Sequence, residues 1–443
     1  MDTLTVHGPT SLHGTFKVAG AKNVALKALV ASLLTDETVT LTNVPDIRDV
    51  RLMIEVLEHL GSTVSFALST LRIEKKGENS YTVPLDVGAR LRTSSMVLGP
   101  LLARFGHATI PNPGGCRIGA RPIGRHIEGL EAMGAHISYD SGDGFFHASA
   151  EKLHGATIVF EKNTHTGTET MILAAVLADG QTTINNAAEE VEVDELISLL
   201  VSMGANIKRT SQRTIVVTGV PVLHGTTFRI MSDRNEEVTL ACAAIASQGD
   251  IIIEESSFET IGAFLDALTH IGAGFERLSE TVTRYFYKGP ITAYDVTTVP
   301  HPGFMTDWQS PWSVMMTQAI GVSIMHETVF ENRFAYVAEL QKMGANIEFF
   351  TPSVDNPVSV YNFDIPGDGH IGHQAIKITG PTSLHNAVVS MNDLRAGATI
   401  LIAAMIASGE SVISGVEQID RGYERIEERL NALGAEIKRN RGL

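Results

Sequence analysis

The chain has 443 residues, 44% hydrophobic and 19% charged, with 34 Lys and Arg against 50 Asp and Glu. That length exceeds one typical core and predicts two domains or more, and the composition excludes a disordered chain. A formal net charge of -16 excludes a general nucleic-acid or anionic-membrane binder, so any anionic ligand must be met by locally gathered cations.

The start Met1-Asp2-Thr3-Leu4 has no basic run or apolar signal core, and no apolar stretch approaches the roughly 18 residues of a spanning helix. A soluble, cytoplasmic protein is expected. The two cysteines, Cys116 and Cys242, imply no disulfide framework.

In chain order, a strand region from Leu4 to Val18 comes first and is a candidate to pair with the second half. It leads into the turn Val18-Ala19-Gly20-Ala21-Lys22-Asn23 and a helical run from Val24 to Leu34. Small residues there let a ligand approach the backbone, and the helix N-terminus and the Lys22 ammonium favour an anion. The spacing is not that of a nucleotide P-loop. Taken alone, the turn reads by default as a solvated surface lysine.

A short phrase then recurs, hydrophobic-Gly-small-x-apolar. It stands at Leu60–Val64, Met133–Ile137, Met203–Ile207, Ile271–Phe275, Met343–Ile347 and Leu433–Ile437. Each copy reads as a helix ending at a left-handed Gly, then a strand. Before the third copy, Leu196, Leu199, Leu200 and Met203 mark one helical face. A second phrase couples an Ala-rich helix to a β-branched strand, as in "ILAAVLADGQTTI", "LACAAIASQGDIII" and "LIAAMIASGESVI". Helices that are small-sided all round pack inside a fold. Six such units, the first five copies spaced by roughly 70 residues and the last gap longer, predict two similar domains, divided near Ile230-Met231.

The segment Pro113–His126 reads PGGCRIGARPIGRH. Its four glycines make a mobile loop, and Arg117 and Arg121 near Cys116 favour a reactive thiolate. An inert surface thiol is the alternative. Cys242 sits in the Ala-rich "TLACAAIAS" and reads as core. Charges at predicted turns, Arg92, Asp233, Asp307, Arg333, Asp393, Arg395 and Arg421, are by default solvated or structurally paired.

Taken together, "AGAKNVAL", "LTNVPDIRDV", "LGPLLARFG", "PGGCRIGARP", "MTDWQ", "ETVFENRF", "NDLRAG" and "DRGYERIEERL" resemble the enolpyruvyl transferases over essentially the whole chain. Within that family they resemble the UDP-N-acetylglucosamine 1-carboxyvinyltransferases of peptidoglycan synthesis. The resemblance implies an α/β (α+β) fold, a two-domain inside-out α/β barrel with six βαβαββ-like repeats, three per domain. The implied domains are 22–231, and 1–21 with 232–443.

It also implies phosphoenolpyruvate and UDP-N-acetylglucosamine as substrates, no cofactor and no metal, a monomer or weak oligomer, and fosfomycin as an inhibitor. No metal-ligand spacing is found in the sequence either. By resemblance, Lys22, Arg121 and Arg421 serve the phosphate, and Arg333 and Arg395 the carboxylate or the closed state. Asn23 holds the acceptor sugar, Asp307 is the general base and Cys116 the general acid. Arg92 and the stretch Arg121, Pro122, Ile123, Gly124 and Arg125 contact the nucleotide sugar, with Val329 a backbone contact. Glu190, Asp233 and Asp393 line the site, and Thr164, His165 and Thr166 lie in a segment that serves the nucleotide.

Three segments depart from the family pattern. The usual RPVDLH is Arg121–His126 with Gly124-Arg125 in place of Asp-Leu, SVGATEN is THTGTET at Thr164–Thr170, and DRIETGTF is DRNEEVTL at Asp233–Leu240. A paralogue acting on another nucleotide sugar, and a non-catalytic sugar-nucleotide sensor, therefore stand as alternatives.

Overall fold

The computed structural model describes residues 2–115, 118–365 and 371–442. The chain divides into two compact units. The first comprises Gly20–Cys116 and Pro122–Met231; the second comprises Met1–Ala19, Arg117–Arg121 and Ser232–Leu443. The short segment ending at Arg121 thus groups with the second unit, although its neighbours in sequence belong to the first.

Among the described residues each unit carries three sheets, and the sheets follow one plan. In the sheet of Thr226–Arg229, Val39–Thr42, Thr70–Lys75 and Ser62–Ala67, the first pair is parallel and the other two are antiparallel. The same order of pairings recurs in all five four-stranded sheets. The sixth sheet has three strands, His107–Pro111, Phe145–Ser149 and His136–Asp140, and a lone parallel bridge from Thr82 to Thr109 stands where the fourth strand would be.

The N-terminal strands join the second unit. Thr3–Gly8 lies between Gly409–Ser414 and Glu436–Asn440, and His13–Lys17 pairs in parallel with Asp250–Glu254.

The recurring glycines explain the joints. Gly61, Gly134, Gly204, Gly272, Gly344 and Gly434 all have φ between 78° and 102°, each after a helix and before a strand. An L-residue is disfavoured there because its Cβ crowds the backbone, so Gly reverses the chain at least cost.

The Ala-rich helices are the interior. Every residue of Arg234–Ala246 is buried, and in Lys22–Ala31 all except Asn23 are buried. In the second unit, helices Arg234–Ala246, Gln309–Met316 and Leu394–Ile406 pack on one another. In the first, Leu98–Phe105 packs on His165–Ala175, where a Cβ on Gly99 would stand 3.0 Å from the Thr170 carbonyl oxygen. Small side chains allow such close approach, and strands pack on these helices, Val282–Phe286 on Arg234–Ala246 and Thr3–Gly8 on Leu394–Ile406.

The glycine joints make a graded prediction. Gly204→Ala brings the new Cβ within ordinary contact of His224, 3.6 Å away, so its cost is the left-handed backbone, about 1–2 kcal/mol. Gly61→Ala adds a 2.2 Å approach to the Glu78 carbonyl oxygen and must also move backbone. Urea unfolding should place the Gly61 variant clearly below the Gly204 variant; equal midpoints would contradict the packing argument.

Candidate active site

In the second unit, several candidate side chains gather at the first turns of the buried helices. Asp307 sits in the short 3₁₀ turn Thr306–Trp308 that runs into helix Gln309–Met316. One of its carboxylate oxygens accepts from the Arg333 guanidinium at 2.6 Å and the other from Arg395 at 3.4 Å. Both arginines are buried, whereas Asp307 keeps partial exposure.

Arg395 is the second residue of helix Leu394–Ile406 and also donates to the Tyr423 hydroxyl at 2.9 Å. That hydroxyl lies 2.8 Å from Thr239 on helix Arg234–Ala246. Burial works against the Arg395 charge, but Tyr423, Asp307 and Asp233 outweigh it and hold its pKa above the ordinary value. Trp308 donates to Asn235 at 2.9 Å, so the N-terminal ends of all three helices are tied together.

Asp233 and Asp393 occupy these same ends with a structural task. Each is an N-cap: Asp233 accepts from the amides of Asn235 and Glu236, and Asp393 from those of Arg395 and Ala396. Such caps satisfy backbone donors that a buried helix cannot give to water.

Arg121, at φ 46°, places its guanidinium 5.6 Å from the Phe330 ring centroid, and Arg333 lies 5.7 Å from the same ring. The amide of Asn332 donates to the Ile118 carbonyl, which docks the segment before Arg121 on this loop. The Val329 amide is spent on Glu327 at 2.7 Å. Arg421 ends the 3₁₀ turn Val416–Arg421 and is half-buried.

In the first unit, Lys22 opens helix Lys22–Ala31 and is buried, not solvated. Its ammonium is 2.8 Å from the Asp49 carboxylate. The default reading of a turn lysine fails because Asp49, on the following helix, reaches the same point. Asn23 is half-buried beside it. Arg92 opens the 3₁₀ turn Arg92–Val97, which runs into helix Leu98–Phe105.

Thr164 caps helix His165–Ala175 by accepting from the Gly167 amide, and the Thr166 hydroxyl is 3.0 Å from His126. His165 lies 3.1 Å from Glu169, whose other oxygen is 3.3 Å from the Lys27 ammonium. Glu190 is buried at the start of helix Val191–Ser202, with one oxygen lacking a hydrogen-bond partner among the described residues. Pro122 is exposed and Ile123 buried, and Gly124 and Arg125 open helix Gly124–Ala132. Cys116 lies outside the described residues.

Among the described residues, the one group spaced to hold a metal is Asp140, Asp143 and His147, all exposed. Their side chains are committed to the local turn: Asp140 accepts from Gly142, and Asp143 from Phe145 and His147. No described helix is long and apolar enough to cross a membrane.

Buried cations at helix N-termini, with one partly exposed carboxylate between two arginines, are suited to anionic substrates. A family model described as EPSP synthase (3-phosphoshikimate 1-carboxyvinyltransferase) matches residues 6–430. The chain is 42% identical over 440 residues to the UDP-N-acetylglucosamine 1-carboxyvinyltransferase of Magnetococcus marinus, covering 99% of each. It is 41% identical over 439 residues to that of Desulfosudis oleivorans, again covering 99% of each.

The chain belongs to the enolpyruvyl transferase family. Its fold is similar to that of the enolpyruvyl transferase NikO from Streptomyces tendae, with a TM-score of 0.85 at 21% identity over 100% of this chain and 99% of that one. An EPSP synthase from Acinetobacter baumannii aligns over 100% of both chains with a TM-score of 0.73 at 16% identity.

Several residues that shape this enolpyruvyl transferase escape a reading of the sequence alone. Asp49, Tyr423, Glu327 and Phe330 stand inside the family phrases, but nothing local marks them as partners of Lys22, Arg395, the Thr306 and Gln309 side chains or Arg121. Lys27 and Glu169 lie in apolar helical runs, where a paired buried charge is the available signal.

The His165–Glu169 pair gives a pH prediction. Burial lowers the His165 pKa, but Glu169 and Glu190 outweigh burial and the Lys27 charge, and the net direction is up from 6.5. A raised folded pKa stabilises the protein below the unfolded value, and the gain fades as pH rises through the folded one. The melting-temperature gap between wild type and His165→Gln should therefore be widest at or below about pH 6.5 and narrow on the alkaline side. A gap constant across pH would show that His165 does not carry the charge.

Proposed function

We propose that this enolpyruvyl transferase moves the enolpyruvyl group of phosphoenolpyruvate to the 3-hydroxyl of UDP-N-acetylglucosamine and releases inorganic phosphate. The observation that carries the reading is the full-length identity to relatives of that name. The buried cations and the Asp307 arrangement support it chemically.

In this reading Asp307 takes the proton of the sugar hydroxyl as its oxygen bonds to C2 of phosphoenolpyruvate, while C3 gains a proton and a tetrahedral ketal forms. Loss of one C3 proton and of the phosphate then gives the enol ether. Cys116 is assigned as the acid that protonates C3. Lys22, Arg121 and Arg421 are assigned to the phosphate, where fixed cations stabilise developing charge without reorganising. Arg92, Arg121–Arg125 and Thr164–Thr166 are assigned to the nucleotide sugar, with Asn23 and Val329 at the sugar and Glu190 nearby.

Asp307 is held by Arg333 and Arg395. A carboxylate arriving at these arginines competes with Asp307 for their donors, which returns its lone pairs to the hydroxyl. Phosphoenolpyruvate thus prepares the base that acts on the second substrate.

Phosphate release should require both substrates and persist in EDTA, because the phosphate is assigned to side-chain cations. Inactivity in EDTA that Mg²⁺ restores would refute that assignment. A panel of nucleotide sugars separates this reading from a paralogue with another acceptor, and absence of turnover with any of them would favour a sensor.

The two thiols should differ. Cys242 is fully buried and its pKa is pushed up, so it should resist alkylation in the native protein. Fosfomycin should instead add to Cys116, faster with the nucleotide sugar present. Cys116→Asp, which keeps an acid, should stay active and resist the epoxide. Peptide mapping that finds no Cys116 adduct, together with full activity of Cys116→Ala, would remove its assigned role.

A further inference from the structure

The least exposed carboxylate beside the Asp307 arrangement belongs to a residue with no assigned part in the chemistry. Glu327 directly follows strand Gly321–His326 and is completely buried. Its amide donates to the Gln374 carbonyl at 2.8 Å, which fixes its backbone.

Its carboxylate accepts four hydrogen bonds. One oxygen receives the Thr306 hydroxyl at 2.9 Å and the Gln309 side-chain amide at 2.7 Å. The other receives the backbone amides of Val329 at 2.7 Å and Phe330 at 3.0 Å. The Gln309 oxygen accepts in turn from the Tyr336 hydroxyl at 2.8 Å, which orients the Gln309 amide towards Glu327.

An ionised carboxylate offers acceptors alone, and here four donors meet it. Burial raises its pKa, while Arg333 and the amides of Val329 and Phe330 work in the opposite sense. A buried charge in such a place is costly unless geometry demands it.

The geometry is specific. Thr306 and Gln309 bracket Asp307 in sequence, and Val329 and Phe330 begin the loop that carries Arg333. One side chain therefore sets the distance between the Asp307 turn and the Arg333 loop.

We propose that Glu327 is a positioning residue that acts through Asp307, by locking the turn that carries Asp307 to the Val329–Phe330 backbone. This rests on the reading of Asp307 as the base for the acceptor hydroxyl. Gln at this position keeps an oxygen for the two backbone amides but weakens the grip on the turn. Asp keeps the charge and retracts it by one methylene, so it cannot hold both sides. Thr306→Val removes one of the four bonds and leaves Glu327 in place.

The test is steady-state phosphate release by the three variants, with melting temperatures to confirm folding. Misplacement of a catalytic group by about an ångström costs up to roughly a hundred-fold. We therefore expect kcat to fall about three-fold for Thr306→Val, about ten-fold for Glu327→Gln and further for Glu327→Asp, with each KM within about three-fold of wild type.

A folded Glu327→Gln with wild-type kcat overturns the proposal, and so does a loss carried by KM. Should both Glu327 variants fail to fold, wild-type kcat in Thr306→Val overturns it. Wild-type turnover together with an inactive Asp307→Asn upholds the function reading whatever the Glu327 variants do. An Asp307→Asn at full activity overturns the positioning proposal through its base.

Discussion

A charge placed at the first turn of a buried helix has little water to meet it, and most of this molecule's chemistry follows from that. Helices such as Lys22–Ala31, Arg234–Ala246 and Leu394–Ile406 are enclosed almost throughout, so their N-terminal groups must find partners in the protein. Lys22 finds Asp49, Arg395 finds Asp307 and Tyr423, and the helix ends themselves are capped by Asp233 and Asp393. The positive end of each helix dipole adds to the preference for anions at these places. Fold and site are thus one solution: enclosing the helix forces its polar end to be organised, and an organised polar end can bind a substrate.

Repetition explains how the same device arises several times. Among the described residues each four-stranded sheet has one parallel edge pairing followed by two antiparallel ones, and each repeat glycine turns a helix back into a strand. The turn was readable in the sequence because Gly at a helix end is a local signal, and so was the enclosure of the Ala-rich helices. The pairing of the first strands with the second half was open to sequence reasoning only as a possibility. Register across four hundred residues depends on which apolar faces meet, as in Leu4 opposite Ile413, and no local rule fixes that.

The site was legible to a different degree. Lys22, Asp307, Arg333 and Arg395 stand in recognisable phrases, yet the burial of Lys22, Arg333 and Arg395 contradicts the usual solvated state of charges at turns. That burial is decided by partners 27 residues away in the case of Asp49 and 88 in the case of Asp307 and Arg395, counting from Lys22 and Asp307 respectively. Asp233 and Asp393 were legible as acids near the site, but their capping role needed the backbone amides to be seen. Glu327 was invisible for a related reason, since an acid after a strand gives no hint that four donors from two segments converge on it.

Buried ion pairs of this kind contribute little net stability, because desolvation offsets most of their attraction. Their value lies in direction. The Arg395 guanidinium is fixed by Tyr423 and Asp307, and Arg333 by Asp307 with the Phe330 ring 5.7 Å away. These donors cannot turn freely, so in the proposed reading an arriving carboxylate meets cations already aimed and need not reorganise them. Asp307 is the most exposed member of the group. On the proposed function, an acidic chain can therefore hold an anionic substrate without a cationic surface: the charges that matter are few, enclosed and pre-aligned.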